Sequence, residues 1–519
     1  MTASGTRRSN GQVARASGRS PLPTEGCDGP GEGRASARPR DESAAPPPGG
    51  YREMARIAAP LILSMASYTI MQFCDRVFLS RYSSVTIQAA LPAGILAHTL
   101  VCFFQALAGY AGTFTAHYHG AKDPAQCVRA TVQGLWLALA SWPLILLLIP
   151  LGSWLMQLSA HAPDVYAAER TYFVILMAGG IMVPLNAAIG GYFMGIGQTK
   201  VNMVANAVGC TLNIVLNYVM IFGRWGCPEL GIAGSAYATV ISGLVACLIQ
   251  LALFCREHIA QYHALAGAGQ PASALAVWRP DPALLGRIVR FGTPSGLQLL
   301  MDIGSFALFI MLTGRLGEVS LAASNIAFSI NNLAFAPLLG FGLAASTVVG
   351  QHQGARNPEA AMRAGYTGLK MGLIYMCVIG ATFVLFPRGY FELFRPKNAA
   401  FTADELLALG RTMLWLMTAW GLLDTVTIIL SGALKGAGDT RFVMVYMILG
   451  GWLVLVPGTL VLLRQGHGIL GLWAWLAVYV CLLAVGFWWR WQKGAWKAIR
   501  VIEHREGLDY IPPVPDEIH

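Results

Sequence analysis

Charge is what this chain has least of. Asp, Glu, Lys and Arg make up 12% of its 519 residues, about half of the roughly 25% found in a soluble chain. With 55% hydrophobic residues and a mean hydropathy of +0.54, there is too little polar surface to clothe a water-soluble globule. That excludes a soluble enzyme and a secreted scaffold. Basic residues outnumber acidic ones, 36 to 26, but they are scattered between apolar blocks. They form no stripe that could track phosphates, so no nucleic-acid partner is expected. C-x-x-C pairs are missing as well. Most of the ten cysteines lie inside apolar runs and read as small core hydrophobes. Also absent are HExxH, a Walker loop and G-x-S-x-G, so ATP-driven transport and standard hydrolysis have no support. Neither a catalytic residue nor a cofactor is expected.

What the chain does have is long apolar runs. Stretches such as 82–121, 130–163, 201–223 and 465–489 hold no Asp, Glu, Lys or Arg, and a spanning helix needs about 20 apolar residues. Turns placed at Gly, Pro and charge clusters give twelve spans, near 54–79, 88–117, 129–151, 168–190, 201–222, 232–255, 285–312, 320–350, 364–386, 411–433, 442–463 and 469–491. Residues 1–50 differ, with seven Arg, seven Pro, nine Gly and no aromatic. That composition cannot bury a core and reads as a disordered tail, with Met54 as an alternative start. Residues 256–284 read as a cytoplasmic linker between two six-helix bundles, 51–255 and 285–491, and 492–519 as a cytoplasmic tail. Lys and Arg lie in modest excess on the side that carries both termini. The expected location is the cell (inner) membrane, with both ends in the cytoplasm.

A repeat organises these spans. Shifting the chain by 234 positions carries Pro60 onto Pro294, Arg81 onto Arg315, Thr113 onto Thr347, Gly120-Ala121 onto Gly354-Ala355 and Arg129-Ala130 onto Arg363-Ala364. A shift of 241 carries Gly195, Gly197 and Thr199 onto Gly436, Gly438 and Thr440. Six spans per half is an even number, so both halves enter from one side as parallel repeats. The expected fold is an all-α membrane protein, two six-helix bundles around a central cavity. Transporters so built bind substrate between the halves and rock them.

Three acids are read within the spans: Asp75, Asp302 and Asp424. A carboxylate at the bilayer centre costs about 2.5–3.5 kcal/mol on insertion scales, and such acids are functional by default. At about 1.5 Å per residue, Asp302 and Asp424 fall near mid-depth and Asp75 in the outer half, beside Arg76 and near Arg81. Each acid has two readings, a structural ion pair or helix cap, and a site for a coupling proton or Na⁺. Asn213 and Asn217, four apart, share one helix face, where they could join helices by hydrogen bonds or bind an ion. His117-Tyr-His119 lacks an evident third metal ligand and reads as the end of a span.

Pro60, Phe73-Cys74-Asp75, Gly195-Ile-Gly-Gln-Thr199-Lys200, Asn213-Ile-Val-Leu-Asn217, Gly231-Ile-Ala-Gly234-Ser-Ala236-Tyr-Ala-Thr239, Pro294 with Asp302, and Asp424 ahead of Gly432-Ala-Leu-Lys-Gly436-Ala-Gly-Asp-Thr440 follow in an order that resembles the multidrug and toxin extrusion (MATE) transporters. The resemblance covers about residues 51–490. It implies a secondary active exporter of organic, often cationic and amphipathic compounds in exchange for Na⁺ or H⁺. It implies a cation site in the first half at Asp75, Asn213, Asn217 and Thr239, and coupling acids in the second half at Asp302 and Asp424. Arg76 departs from the family pattern. The expected partners are small-molecule drugs or metabolites and the lipid bilayer, and the expected state is a monomer. The rival readings are a flippase of lipid-linked oligosaccharides, which needs a cationic cavity for pyrophosphate, and a membrane-embedded enzyme, for which no catalytic constellation is evident.

Overall fold

The computed structural model describes residues 48–159, 161–259, 278–316, 318–394 and 403–503. Among the described residues there are helices and turns and no strand. The first half contains α1 (Tyr51–Tyr82), α2 (Ser84–Gly109), α3 (Ala111–Gly120), α4 (Pro124–Leu147), α5 (Ile149–Leu158), α6 (Pro163–Ala178), α7 (Met182–Gly195), α8 (Thr199–Phe222) and α9 (Ile232–Leu253). The second contains α10 (Pro282–Thr313), α11 (Glu318–Gly354), α12 (Pro358–Leu385), α13 (Pro387–Phe394), α14 (Ala403–Gly436), α15 (Thr440–Leu449), α16 (Val456–Arg464) and α17 (Ile469–Lys493). Among the described residues, eleven spans are long and apolar enough to cross a membrane, or twelve when α6 and α7, bent by 42°, count as one. Apolar side chains left outside, such as Leu147, Leu385 and Leu453, are what a lipid solvent tolerates.

Several sequence expectations shift in detail. The fourth span breaks at Gly179–Ile181 rather than running through. Cys102, Cys127 and Cys247 are buried as expected, but Cys227, Cys255 and Cys377 are exposed. Most of the tail, linker segment 260–277 and residues 504–519 lie outside the described residues. The flanks of those segments are packed. Gly49 O accepts from Thr367 Oγ1 at 2.9 Å, and Gly494 to Glu503 continues past α17 with Trp496, Val501 and Ile502 buried.

The repeat is written into the backbone. Lys122 and Arg356, matched by the shift of 234, are non-glycine residues at φ 58° and 56°. Each closes a helix the same way. Lys122 N donates to His119 O at 3.0 Å and Asp123 N to Tyr118 O at 2.9 Å; Arg356 N donates to Gln353 O at 3.1 Å and Asn357 N to His352 O at 2.9 Å. This double bond pattern satisfies the last carbonyls of a helix. The next residue then caps the following helix: Asp123 Oδ1 accepts from Gln126 N at 3.1 Å and Asn357 Oδ1 from Ala360 N at 3.0 Å. Pro124 and Pro358 sit at the first helical position, where a missing N–H costs nothing.

The two halves also exchange arms. The start of α1 docks on the second half, with Met54, Ile57, Ala58 and Leu61 in a core cluster with Val348, Ala361 and Leu434. The start of α10 docks on the first half, with Leu284 and Ile288 packed among Tyr110, Phe114 and Cys127. The anchors correspond. Arg363 and Thr367 of α12 hold Pro48 and Gly49. The matching Arg129 and Gln133 of α4 hold Asp281, at 3.6 Å and 2.9 Å. Pro60 and Pro294 lie inside these two helices, where each removes one helical hydrogen bond.

Candidate functional site

In the first half, three helices bring four expected residues into one hydrogen-bonded chain. Asn217 Nδ2 donates to Asp75 Oδ1 at 2.5 Å and lies 2.9 Å from Asn213 Oδ1. Asn213 Nδ2 reaches Thr239 Oγ1 at 3.4 Å. Asn213 and Asn217 are fully buried on α8, since positions four apart point the same way. They face Asp75 on α1 and Thr239 on α9. Asn217 Oδ1 is a buried oxygen with no hydrogen-bond partner among the described residues. Asp75 and Asn217 together offer oxygen donors, the chemistry of a hard cation such as Na⁺. Arg76 is exposed and joins none of these bonds, although Asp75 feels its charge. Asp75 lies toward the end of α1, as its sequence position implies.

In the second half, Asp302 on α10 and Asp424 on α14 interact electrostatically, and both feel Tyr479 of α17, a buried ring. A π-helical turn, Gly450–Leu455, interrupts the span formed by α15 and α16. Its Trp452 Nε1 donates to Met301 O at 3.1 Å, fixing the turn that carries Asp302. Single π turns inside helices often mark functional places. The two acid sites are not repeat equivalents. The shift of 234 puts Phe309 at the place of Asp75 and Tyr68 at the place of Asp302.

The reading of three acids within the spans needs correction. Glu169 on α6 is buried at 1% exposure, with His161 Nδ1 2.8 Å from its Oε1. It escaped because Glu169-Arg170 looks like a polar start of the fourth span, whereas α6 begins six residues earlier. Gln298, Lys435, Trp452 and Tyr479 were also missed. No spacing rule links residues that meet only between helices.

At one end the halves are clasped by a pair of contacts that the repeat interchanges. His117 Nε2 lies 2.8 Å from Gly436 O, and Gln351 Nε2 donates to Gly195 O at 2.7 Å. The two shifts carry His117 onto Gln351 and Gly195 onto Gly436. Beside them, a Cβ on Gly120 would collide with Gln351 O, and a Cβ on Gly354 would collide with His117 O. An interface in which i meets j and j meets i is that of a two-fold axis. His117, read from sequence as the end of a span, is therefore an interface residue. Tyr110 adds a third bond, its hydroxyl donating to Lys435 O at 2.9 Å.

A family model described as MatE matches residues 60–219 and 294–461, stretches that begin at the paired Pro60 and Pro294. A probable multidrug resistance protein NorM of Pseudomonas putida is 29% identical over 461 residues, covering 86% of this chain and 96% of that one. The multidrug resistance protein NorM of Burkholderia vietnamiensis is 28% identical over 464 residues, covering 86% and 96%. Among solved structures, an outward-facing multidrug resistance MATE family transporter of the MOP superfamily superposes with a TM-score of 0.77 at 21% identity, covering 88% of this chain and 98% of that one. A MOP superfamily transporter from Pyrococcus furiosus superposes at 0.76 and 21%, covering 87% and 98%.

Proposed function

The chain belongs to the MatE family of multidrug efflux transporters, a transporter rather than an enzyme, and from that premise we propose that it exports organic, often cationic compounds in exchange for Na⁺ or H⁺ by alternating access. The observation that carries this reading is the clasp. The tightest backbone contacts between the halves, Gly120 against Gln351 O and Gly354 against His117 O, lie at the end where His117 meets Gly436 and Gln351 meets Gly195. Among the described residues, the cluster built on Leu79, Ala89, Tyr172 and Ile221 toward the other end of the first half holds none of the second. In this reading the clasped end is the closed one, and the charge bias of the loops supports the cytoplasm as that end. In this reading the molecule acts as a monomer in the inner membrane with both termini inside.

Asp75, Asn213, Asn217 and Thr239 take the coupling cation in the first half. Asp302 and Asp424 hold the coupling ion or the organic cation in the second. A cation that binds the two states unequally shifts the balance between them only by that difference, which is why the acids stand beside a surface that opens and closes. The test is efflux of an organic cation in membrane vesicles under separately imposed Na⁺ and pH gradients. Drug movement that follows either gradient is the expected result. Movement that follows neither, in vesicles shown to contain inserted protein, defeats ion coupling.

A further inference from the structure

By sequence, Lys435 is one more positive charge at the end of a span. A lysine there ordinarily faces water and complements the helix dipole or reaches for headgroups. In the structure its ammonium instead donates to Oε1 of Gln298 at 3.5 Å, and Gln298 is buried on α10 at 6% exposure. Gln298 lies four residues before Asp302, on the same helix face. Lys435 and Asp302 feel each other's charge, as Asp302 and Asp424 do. Asp424 and Lys435 are both on α14, about three turns apart and so at nearly the same azimuth. One cation and two carboxylates therefore share one internal surface, in the order Lys435, Asp302, Asp424. The peptide that carries Lys435 is gripped from the first half: Tyr110 bonds Lys435 O and His117 bonds Gly436 O.

We infer that Lys435 is a tethered counter-cation of the Asp302–Asp424 site, which cancels one of its two negative charges so that the site takes a single monovalent cation. The inference rests on the ion-coupled reading above. A bare acid pair would carry two negative charges and call for two cations. With Lys435 in place one charge remains, and any mobile cation competes with a fixed one. At the effective dielectric of a protein interior, a unit charge within a few residues' reach changes cation affinity by about tenfold or more. The Tyr110 and His117 bonds tie this charge to the clasp, so opening that end moves the lysine relative to the acids.

The experiment uses full-length protein in proteoliposomes, with efflux measured against external Na⁺ and proton concentration in turn, and with coupling stoichiometry read from reversal potentials. Lys435→Gln is expected to reach half-maximal efflux at about tenfold lower cation concentration and to move more cations per organic substrate. Lys435→Arg keeps the charge and is expected to stay within about twofold of wild type. An unshifted midpoint and stoichiometry in Lys435→Gln, or an equal shift in Lys435→Arg, overturns the inference. Should Lys435→Gln fail to insert, Gln298→Leu decides. It frees the ammonium for Asp302 and is expected to shift the midpoint the opposite way, to higher cation concentration; no shift overturns the inference. A wild-type protein indifferent to both cations would instead defeat the coupling reading itself.

Discussion

Asn217 shows how one side chain joins three helices. Its amide group serves Asp75 and Asn213 together with no exposed surface. Leaving a half-buried acceptor such as Asp75 without its donor costs roughly 1–3 kcal/mol. Asn217→Ala should therefore lower the detergent melting temperature and cut gradient-driven efflux about tenfold or more, and a variant unchanged in both would remove Asn217 from the site. Asp302→Asn and Asp424→Asn keep the size of the side chain but lose its charge. Each should abolish gradient-driven efflux while the protein still inserts, as scored by membrane yield. Full efflux in the double variant would leave only the first-half site. The types of these residues were legible in sequence, because an intramembrane acid is conspicuous. Their hydrogen-bond order was not, because Asp75, Asn213 and Thr239 come from different helices.

At the scale of elements, the matched α3 and α11 ends form the clasp. The glycines there allow backbone to approach backbone, and even one added methyl group meets a carbonyl. Gly354→Val should prevent the clasped end from closing. The expected outcome is a folded, inserted protein with little efflux, in which a cysteine at position 116 is labelled by a thiol reagent that wild-type packing excludes. Wild-type efflux in Gly354→Val would mean that this contact is not part of the cycle. The repeat was visible in sequence as matched small residues. That these residues face their partners across the two-fold axis was not, since a shift register lists equivalents and says nothing of which equivalents touch.

At the scale of the molecule, the segment after α17 crosses the clasped end. Gln353 Nε2 contacts the carbonyls of Lys497 and Ile499 at 3.1 and 3.2 Å, Arg287 bonds Val501 O, and Trp496 stacks on Trp491 at 4.3 Å between ring centroids. Truncation after Gly494 removes the buried Val501 and Ile502, uncovers the cluster around Leu284 and Ile288 that they pack against, and should weaken the closed end, giving a lower melting temperature and faster thiol labelling at position 116. Unchanged labelling would make the segment a passive tail. Topology has its own test. Cysteines at 122, 200 and 356 should label from the cytoplasm and Cys227 from outside, and labelling of 122 and 227 from one side would sink the twelve-span arrangement.

The sequence by itself determined the solvent, the helical class, the repeat and three of the acids within the spans, because each can be read along the chain without knowing what it packs against. Run length against bilayer thickness settles spanning, and a lone carboxylate among apolar residues is costly wherever the chain goes. Tertiary structure alone decided where the halves divide. The sequence puts the boundary at the linker, yet the starts of α1 and α10 pack on the opposite half. It also decided that His117 clasps rather than ligates, that Glu169 is buried, and that Lys435 looks inward. A side chain's partner across a helix interface is fixed by crossing and rotation of the two helices. Those depend on the packing of many small residues at once, and no single stretch of sequence carries them.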